Sequence, residues 1–181
     1  MHAAQQVLHF PRGVTDQQFI HLIAHASEPL LVFTENSKRR SDAAGDFISF
    51  IGEVIKPQNP DECECLLRLR TSWKPDTDNT DSTVGLLFEP QRRWLSFVVS
   101  SMDSPNECSI DVLYSSHPGQ GMGSFLLGET VKFLRDKNNN PDITLISEPW
   151  AVEFYRKQPG WSQGGKLGGG KGRVMFHYTP K

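Results

Sequence analysis

Hydrophobic and polar positions follow two periods along this chain. In "VTDQQFIHLIAHA", residues Phe19, Leu22, Ile23 and Ala26 fall at i, i+3, i+4 and i+7, which predicts a helix with one apolar stripe. Thr15 and Gln18 stand at capping-box spacing ahead of that stripe, so each side chain can serve a free backbone N–H of the other. From Gly121 to Lys137 the period is again helical. Met122, Phe125, Leu126 and Phe133 form one apolar face, with Leu127, Val131 and Leu134 beside it, and Ser124, Gly128, Lys132 and Arg135 lie opposite. An apolar surface that wide predicts a helix pressed against a sheet. "WAVEFYRK" reads as a third, short helix.

Other stretches read as strands. "QQVLHF" predicts a short first strand, and "CECLLRLRTSW" alternates as a strand does, with Cys63 and Cys65 on one face as buried thiols. "TVGLLFE" and "WLSFVVSS", joined through "PQRR", predict a hairpin. "CSIDVLYSS", "ITLISE" and "RVMFHY" follow as strands. Residues 29–60 are ambiguous: "LLVFTE" reads as a strand and "DFISFIGEVI" as either a strand or a helix. "KPDTDNTDS" is a turn or loop by composition. The order of elements predicts one α/β (α+β) domain over residues 1–181, with a mixed, mostly antiparallel central sheet flanked by helices.

Composition narrows the picture. In 181 residues, 37% are hydrophobic and 22% charged, with a formal charge of -2, which is ordinary for a globular domain. That balance argues against a dedicated nucleic-acid surface, and no apolar run is long enough to span a bilayer. The start has no basic region followed by an apolar stretch, and Cys63, Cys65 and Cys108 make no disulfide framework. A reducing, cytoplasmic setting is expected. His21 and His25 lie four apart on the first helix. No glutamate follows His21 and no further ligand cluster exists, so no metal is expected. "SKRR" at 37–40 and "QRR" at 91–93 read as short solvated runs.

"SSHPGQGMGSFLL" carries the chemistry. It places Gly119, Gly121 and Gly123 between a strand and a helix, where glycines let a backbone approach a phosphate. A dinucleotide fingerprint does not fit, because its third glycine falls on Ser124 or Leu126. A second glycine-rich stretch, Gly165 to Lys171, has P-loop spacing. There Gly172 stands where Ser or Thr must hold magnesium, and only nine residues follow to form a helix.

The segment "VLYSSHPGQGMGSFLLGETVKFL" resembles the pyrophosphate-binding segment of the GNAT N-acetyltransferases: a strand, then [R/Q]-x-x-G-x-[G/A], then a long helix. Gly121 and Gly123 match its glycines. "AVEFYRKQPGW" resembles a second segment of that family, A-x-x-F-Y-x-K-x-G-F/W, at Ala151, Phe154, Tyr155, Lys157 and Trp161, with Pro159 inserted before Gly160. "VLHFPRGVTDQQFIHLI" is similar to the family's first strand and helix, while residues 29–105 match only in the order of strands. One position departs: the Arg or Gln of the pattern is Pro118 here, which brings no donor, and His117 is either a replacement contact or an exposed loop residue.

The resemblance implies the GNAT fold and an N-acetyltransferase that joins acetyl-CoA and a primary amine, of a small molecule or a protein, in one complex. It implies a diphosphate site at Gly119, Gln120, Gly121, Met122, Gly123 and Ser124, with the backbone of Leu113 and Tyr114 along the acyl arm. It implies Tyr155 as the acid that protonates the leaving thiolate. The base is open between Glu107, eleven residues before Pro118, and Asp111 on the same strand face, with Glu148 a third candidate. The other reading is a GNAT-like domain that binds CoA weakly and serves as an interaction module.

Overall fold

A computed structural model describes residues 11–34, 44–72, 82–168 and 172–180. The strand expected at "QQVLHF", the run "SKRR" and almost all of "KPDTDNTDS" lie outside the described residues.

Helix α1 (Asp16–Ala24) begins as its spacing predicts. The Gln18 amide N–H donates to the Thr15 hydroxyl at 3.3 Å, and the Thr15 N–H donates to the Gln18 side chain at 2.9 Å. Phe19 and Ile23 are buried. Strand β1 (Leu30–Phe33) is buried throughout. It is the first described strand of the sheet, and the helix after it is α2 (Ala44–Ile55), which resolves the ambiguous "DFISFIGEVI" as a helix with Ile51 and Ile55 buried.

The strand expected at "CECLLRLRTSW" is wrong. Residues Pro60–Ser72 form a helix, α3. Its start carries helix signals that outweigh the alternation. The Asn59 side-chain oxygen accepts the Glu62 N–H at 3.0 Å, Pro60 takes the first position, and Asp61 and Glu62 occupy the first turn. The buried and half-buried positions are Glu62, Cys65, Leu66 and Leu69, at i, i+3, i+4 and i+7, and Leu67 is 60% exposed. Cys63 and Cys65 therefore do not share a face: Cys63 is exposed and Cys65 half-buried.

Strands β2 (Ser82–Glu89) and β3 (Trp94–Ser104) form the expected hairpin, and β4 (Glu107–Ser115) pairs antiparallel with β3. Helix α4 (Met122–Lys137) covers the next crossover and leads to β5 (Asp142–Ser147), which runs parallel to β4. A short 3₁₀ turn (Pro149–Ala151) and α5 (Val152–Arg156) follow. Strand β6 (Trp161–Lys166), not foreseen from the sequence, pairs with β7 (Val174–Tyr178), so the glycine-rich stretch of P-loop spacing begins inside a strand and is followed by a strand, not by a helix. Gly164 lets the pair sit close: a Cβ there would stand 3.0 Å from the His177 ring and would push that exposed side chain aside.

The sheet order is β1-β2-β3-β4-β5-β7-β6, antiparallel except for β4 and β5. One face packs on α4 and α5 through Leu126, Leu127, Val131 and Leu134, with Phe133 stacked on Phe33 at 4.5 Å. The other packs on α1, α2 and α3 through Phe19, Ile23, Ile51 and Leu69. Among the described residues no helix is long and apolar enough to cross a membrane.

Two irregularities shape the centre of the sheet. The β3–β4 register slips between Val99–Val112 and Ser100–Ile110, so Asp111 is the extra residue of a bulge. Cys108 and Ile110 before it face α4, whereas Val112 and Tyr114 after it face the opposite core. The β4–β5 ladder also ends at Ile110–Leu145. Beyond it β4 runs on to Ser115, while β5 continues against β7 alone. The two parallel strands part, and a cleft opens between them.

Candidate active site

At the end of β4 the chain turns into α4 through the glycine loop. Gly119 has φ 83° and Gly121, the N-cap of α4, has φ 80°, a region side chains rarely adopt. A Cβ on either would meet nothing within 4 Å, so the space above the loop is open. Gly123 is under no such constraint: its φ is ordinary, and a Cβ there would make normal contact, 3.7 Å from the Phe154 ring. No side chain caps α4. The first amides of a helix have no intrahelical acceptor, and the positive end of the helix dipole coincides with them. Met122 turns its side chain into the core, so it offers only backbone here, while Gln120 is exposed and Ser124 half-buried. The arrangement is an open cradle that suits a diphosphate.

Beside it, a cavity of about 580 Å³ occupies the place where β4 and β5 part. Leu113 and Tyr155 line it from the sheet and α5, Asp111 from the bulge, and Asp61 and Cys65 from α3. The Asp111 carboxylate is open to this space and accepts hydrogen bonds from Ser101 and Ser109. The surrounding protein strips it of hydration, which raises its pKa above the ordinary aspartate value against the pull of those two hydrogen bonds. Tyr155 is buried between Phe154 and Phe176, with ring centroids 5.0 and 5.6 Å away. Burial holds its hydroxyl far above the usual tyrosine pKa, so it stays protonated. Burial also pushes the Cys65 thiol up to about 11, which makes it a poor nucleophile.

The other expected residues divide. Glu107 lies on the same strand face as Asp111, but four residues away, about 13 Å along a strand. It accepts a hydrogen bond from Ser104 at 3.2 Å and does not line the cavity. Tyr114 turns away into the opposite core, stacked on Phe97 at 5.2 Å, which leaves only its backbone near the cleft. Glu148 lines the mouth in an ion pair with Arg173 at 2.7 Å. The residues that sequence reasoning missed are those of α3 (Asp61, Glu64, Cys65 and Arg68) together with Asp103. The helix-start signal at 59–62 was the clue to them. Among the described residues no group of His, Cys, Asp and Glu is placed to hold a metal; the His21 and His25 rings instead lie 4.3 Å apart on α1.

A mostly antiparallel sheet, a parted parallel pair at its centre and a glycine-capped helix beside the gap define the architecture. A protein of the GNAT family from Desulfovibrio desulfuricans superposes on 82% of this chain and 96% of its own, with TM-score 0.57 and 15% identity. This chain has the GNAT fold. A GNAT-family acetyltransferase from Staphylococcus aureus Mu50 (TM-score 0.52, 12% identity, 82% and 98% covered) shares it. So does a chimera of the Vibrio cholerae spermidine N-acetyltransferase with hSSAT (TM-score 0.53, 18% identity, 84% and 95% covered). No family model matches the sequence. An uncharacterized N-acetyltransferase, ycf52, from Gracilaria tenuistipitata var. liui is 30% identical over 83 residues. That stretch is 44% of this chain and 45% of the relative, so the chain spans less than half the length of the curated relative it matches.

Proposed function

We propose that this chain is an acetyl-CoA-dependent N-acetyltransferase acting on a primary amine of a small molecule or protein. The observation that carries the reading is an open amide cradle at the start of α4, where β4 ends, next to a cavity in the β4–β5 gap whose walls hold a carboxylate and a protonated phenol. Residues 119–124 hold the diphosphate through backbone N–H groups. The backbone of Leu113 and Tyr114, unpaired with β5, follows the acyl arm and offers a donor to the oxyanion.

The acceptor amine enters from the α3 side. Asp61, Asp103 and Asp111 line that approach, and among the described residues none of them has an ion-pair partner, whereas Arg68 and Arg173 are engaged by Glu64 and Glu148. Such a wall favours a cationic amine. Asp111 accepts a proton from the ammonium, and its raised pKa suits that task. The freed nitrogen forms a bond to the acetyl carbon as the C–S bond breaks, Tyr155 gives its proton to the leaving sulfur, and the second proton that the nitrogen sheds on becoming an amide restores the phenol. Asp111 takes the role of base ahead of Glu107, because it faces the cavity.

Pro118, which gives the loop no side-chain donor, favours a second reading as a binding module without turnover. Thiol release from acetyl-CoA over a panel of amines and lysine peptides separates them. Release with at least one acceptor supports the enzyme. CoA binding without release from any acceptor supports the module.

A further inference from the structure

The β2–β3 turn, "PQRR", lies against the glycine loop. The Leu95 N–H donates to the Ser116 hydroxyl at 2.9 Å, and the Ser116 N–H donates to the Leu95 carbonyl at 2.8 Å. The Ser96 and Ser115 hydroxyls meet at 2.9 Å. These bonds fix the start of β3 to the first residues of the loop, and three side chains stack across the junction. The His117 ring lies 4.8 Å from the Trp94 ring at 27°, and the Arg92 guanidinium stands 4.7 Å from the centre of the same indole. The Ser116 hydroxyl sits 2.8 Å from His117 Nδ1 and orients the imidazole. Trp94 is half-buried against the core, so it is a rigid platform, while Arg92 and His117 reach solvent.

Among the described residues no carboxylate pairs with Arg92. The nearest acid in sequence, Glu89, is buried and accepts from the Gln91 N–H at 3.2 Å within the turn. A guanidinium fixed by cation–π contact beside a phosphate cradle, with no counter-ion among the described residues, is arranged for an external anion. The loop itself has Pro118 where a side-chain donor would stand, so positive charge at this end of the cleft comes from the neighbouring hairpin instead.

We infer that Arg92, held on Trp94 with His117, forms a subsite for the 3′-phosphate of coenzyme A. This subsite rests on the acyl-CoA reading of the cleft and adds to it a side-chain contact outside the glycine loop. The diphosphate takes the α4 amides. His117 stands two residues before Gly119, so on this assignment the nucleotide end of the ligand passes the stack, where its phosphomonoester, the most highly charged group of the ligand, meets the guanidinium.

Calorimetric titration with CoA and with 3′-dephospho-CoA, on the parent and on Arg92→Gln, tests the assignment. The parent is expected to bind CoA about tenfold more tightly than dephospho-CoA, the scale of one charge-assisted hydrogen bond. Arg92→Gln should bring CoA affinity down to that of dephospho-CoA and leave dephospho-CoA within about twofold of the parent, which also reports that the fold and the cradle are intact. Equal weakening of both ligands, or no change in either, overturns the subsite. Failure of the parent to bind either ligand overturns the acyl-CoA reading and the subsite with it.

Discussion

At the start of α4, beside the cleft, the groups that the proposed function turns toward the ligand belong to the backbone. Gly119 and Gly121 supply left-handed turns and bare amides, and the nearby side chains of Met122, Leu126 and Leu127 are spent on the core. On the α3 side the chemistry belongs to side chains. Asp61, Cys65 and Arg68 project from a helix, and Asp111 projects from a bulge that turns two successive residues of β4 to one face. The difference fixes how each wall fails. A wall made of amides is broken by adding a side chain. A wall made of carboxylates is broken by removing one, or by neutralising it with protons.

The largest effect expected is on the backbone wall. Gly121→Glu combines a φ of 80°, which strains any side chain, with a negative charge in the cradle. CoA binding should weaken at least about a hundredfold, since a like charge would stand where the proposed function seats the diphosphate. Calorimetry reads the affinity and circular dichroism reports the fold. A folded variant with parental CoA affinity removes the diphosphate from this loop.

Next is Tyr155→Phe. The ring still packs on Phe154 and Phe176, so CoA affinity should hold. The chemical step should slow by about 10²–10⁴-fold in single turnover, the usual worth of general acid catalysis. A rate within about twofold of the parent makes the tyrosine a structural aromatic.

On the side-chain wall, Asp111→Asn should lower the rate about a hundredfold, while Glu107→Gln, on the same strand outside the cavity, should change it by less than about twofold. The base works only when deprotonated. Because burial raises the Asp111 pKa, the parent's acid limb should lie above the ordinary aspartate range, with activity lost as pH falls through the raised value. Asp111→Asn should remove that limb. If Glu107→Gln removes it instead, the two carboxylates exchange roles.

The two walls also differ in how far they were legible in the sequence. The glycine loop and α4 are local: the glycines are required by turns that form within a few residues, and the helix stripe is complete in one segment. The α3 wall is not local in that way. Cys63, Cys65, Leu67 and Leu69 satisfy a period of two as well as their neighbours satisfy 3.6. The Asn59 cap, Pro60 and the acidic first turn mark a helix, and the packing of Leu66 and Leu69 decides it. The bulge at Asp111 leaves no mark on the apolar alternation of β4, where even positions stay buried on both sides of it. It simply moves them to a different core. Strand β6, "WSQGGK", has too few apolar side chains to announce itself and exists by pairing with β7.

Acetyl-CoA titration by thermal melting, with ATP–magnesium and NAD as controls, tests the central claim most directly. Acetyl-CoA at about 100 times its dissociation constant should add about 2.7 kcal/mol, a rise of roughly 5–10 °C for a chain of this size. ATP and NAD should leave the melting temperature within about a degree of the free protein. A rise with ATP–magnesium and none with acetyl-CoA would contradict the assignment of the α4 cradle to coenzyme A.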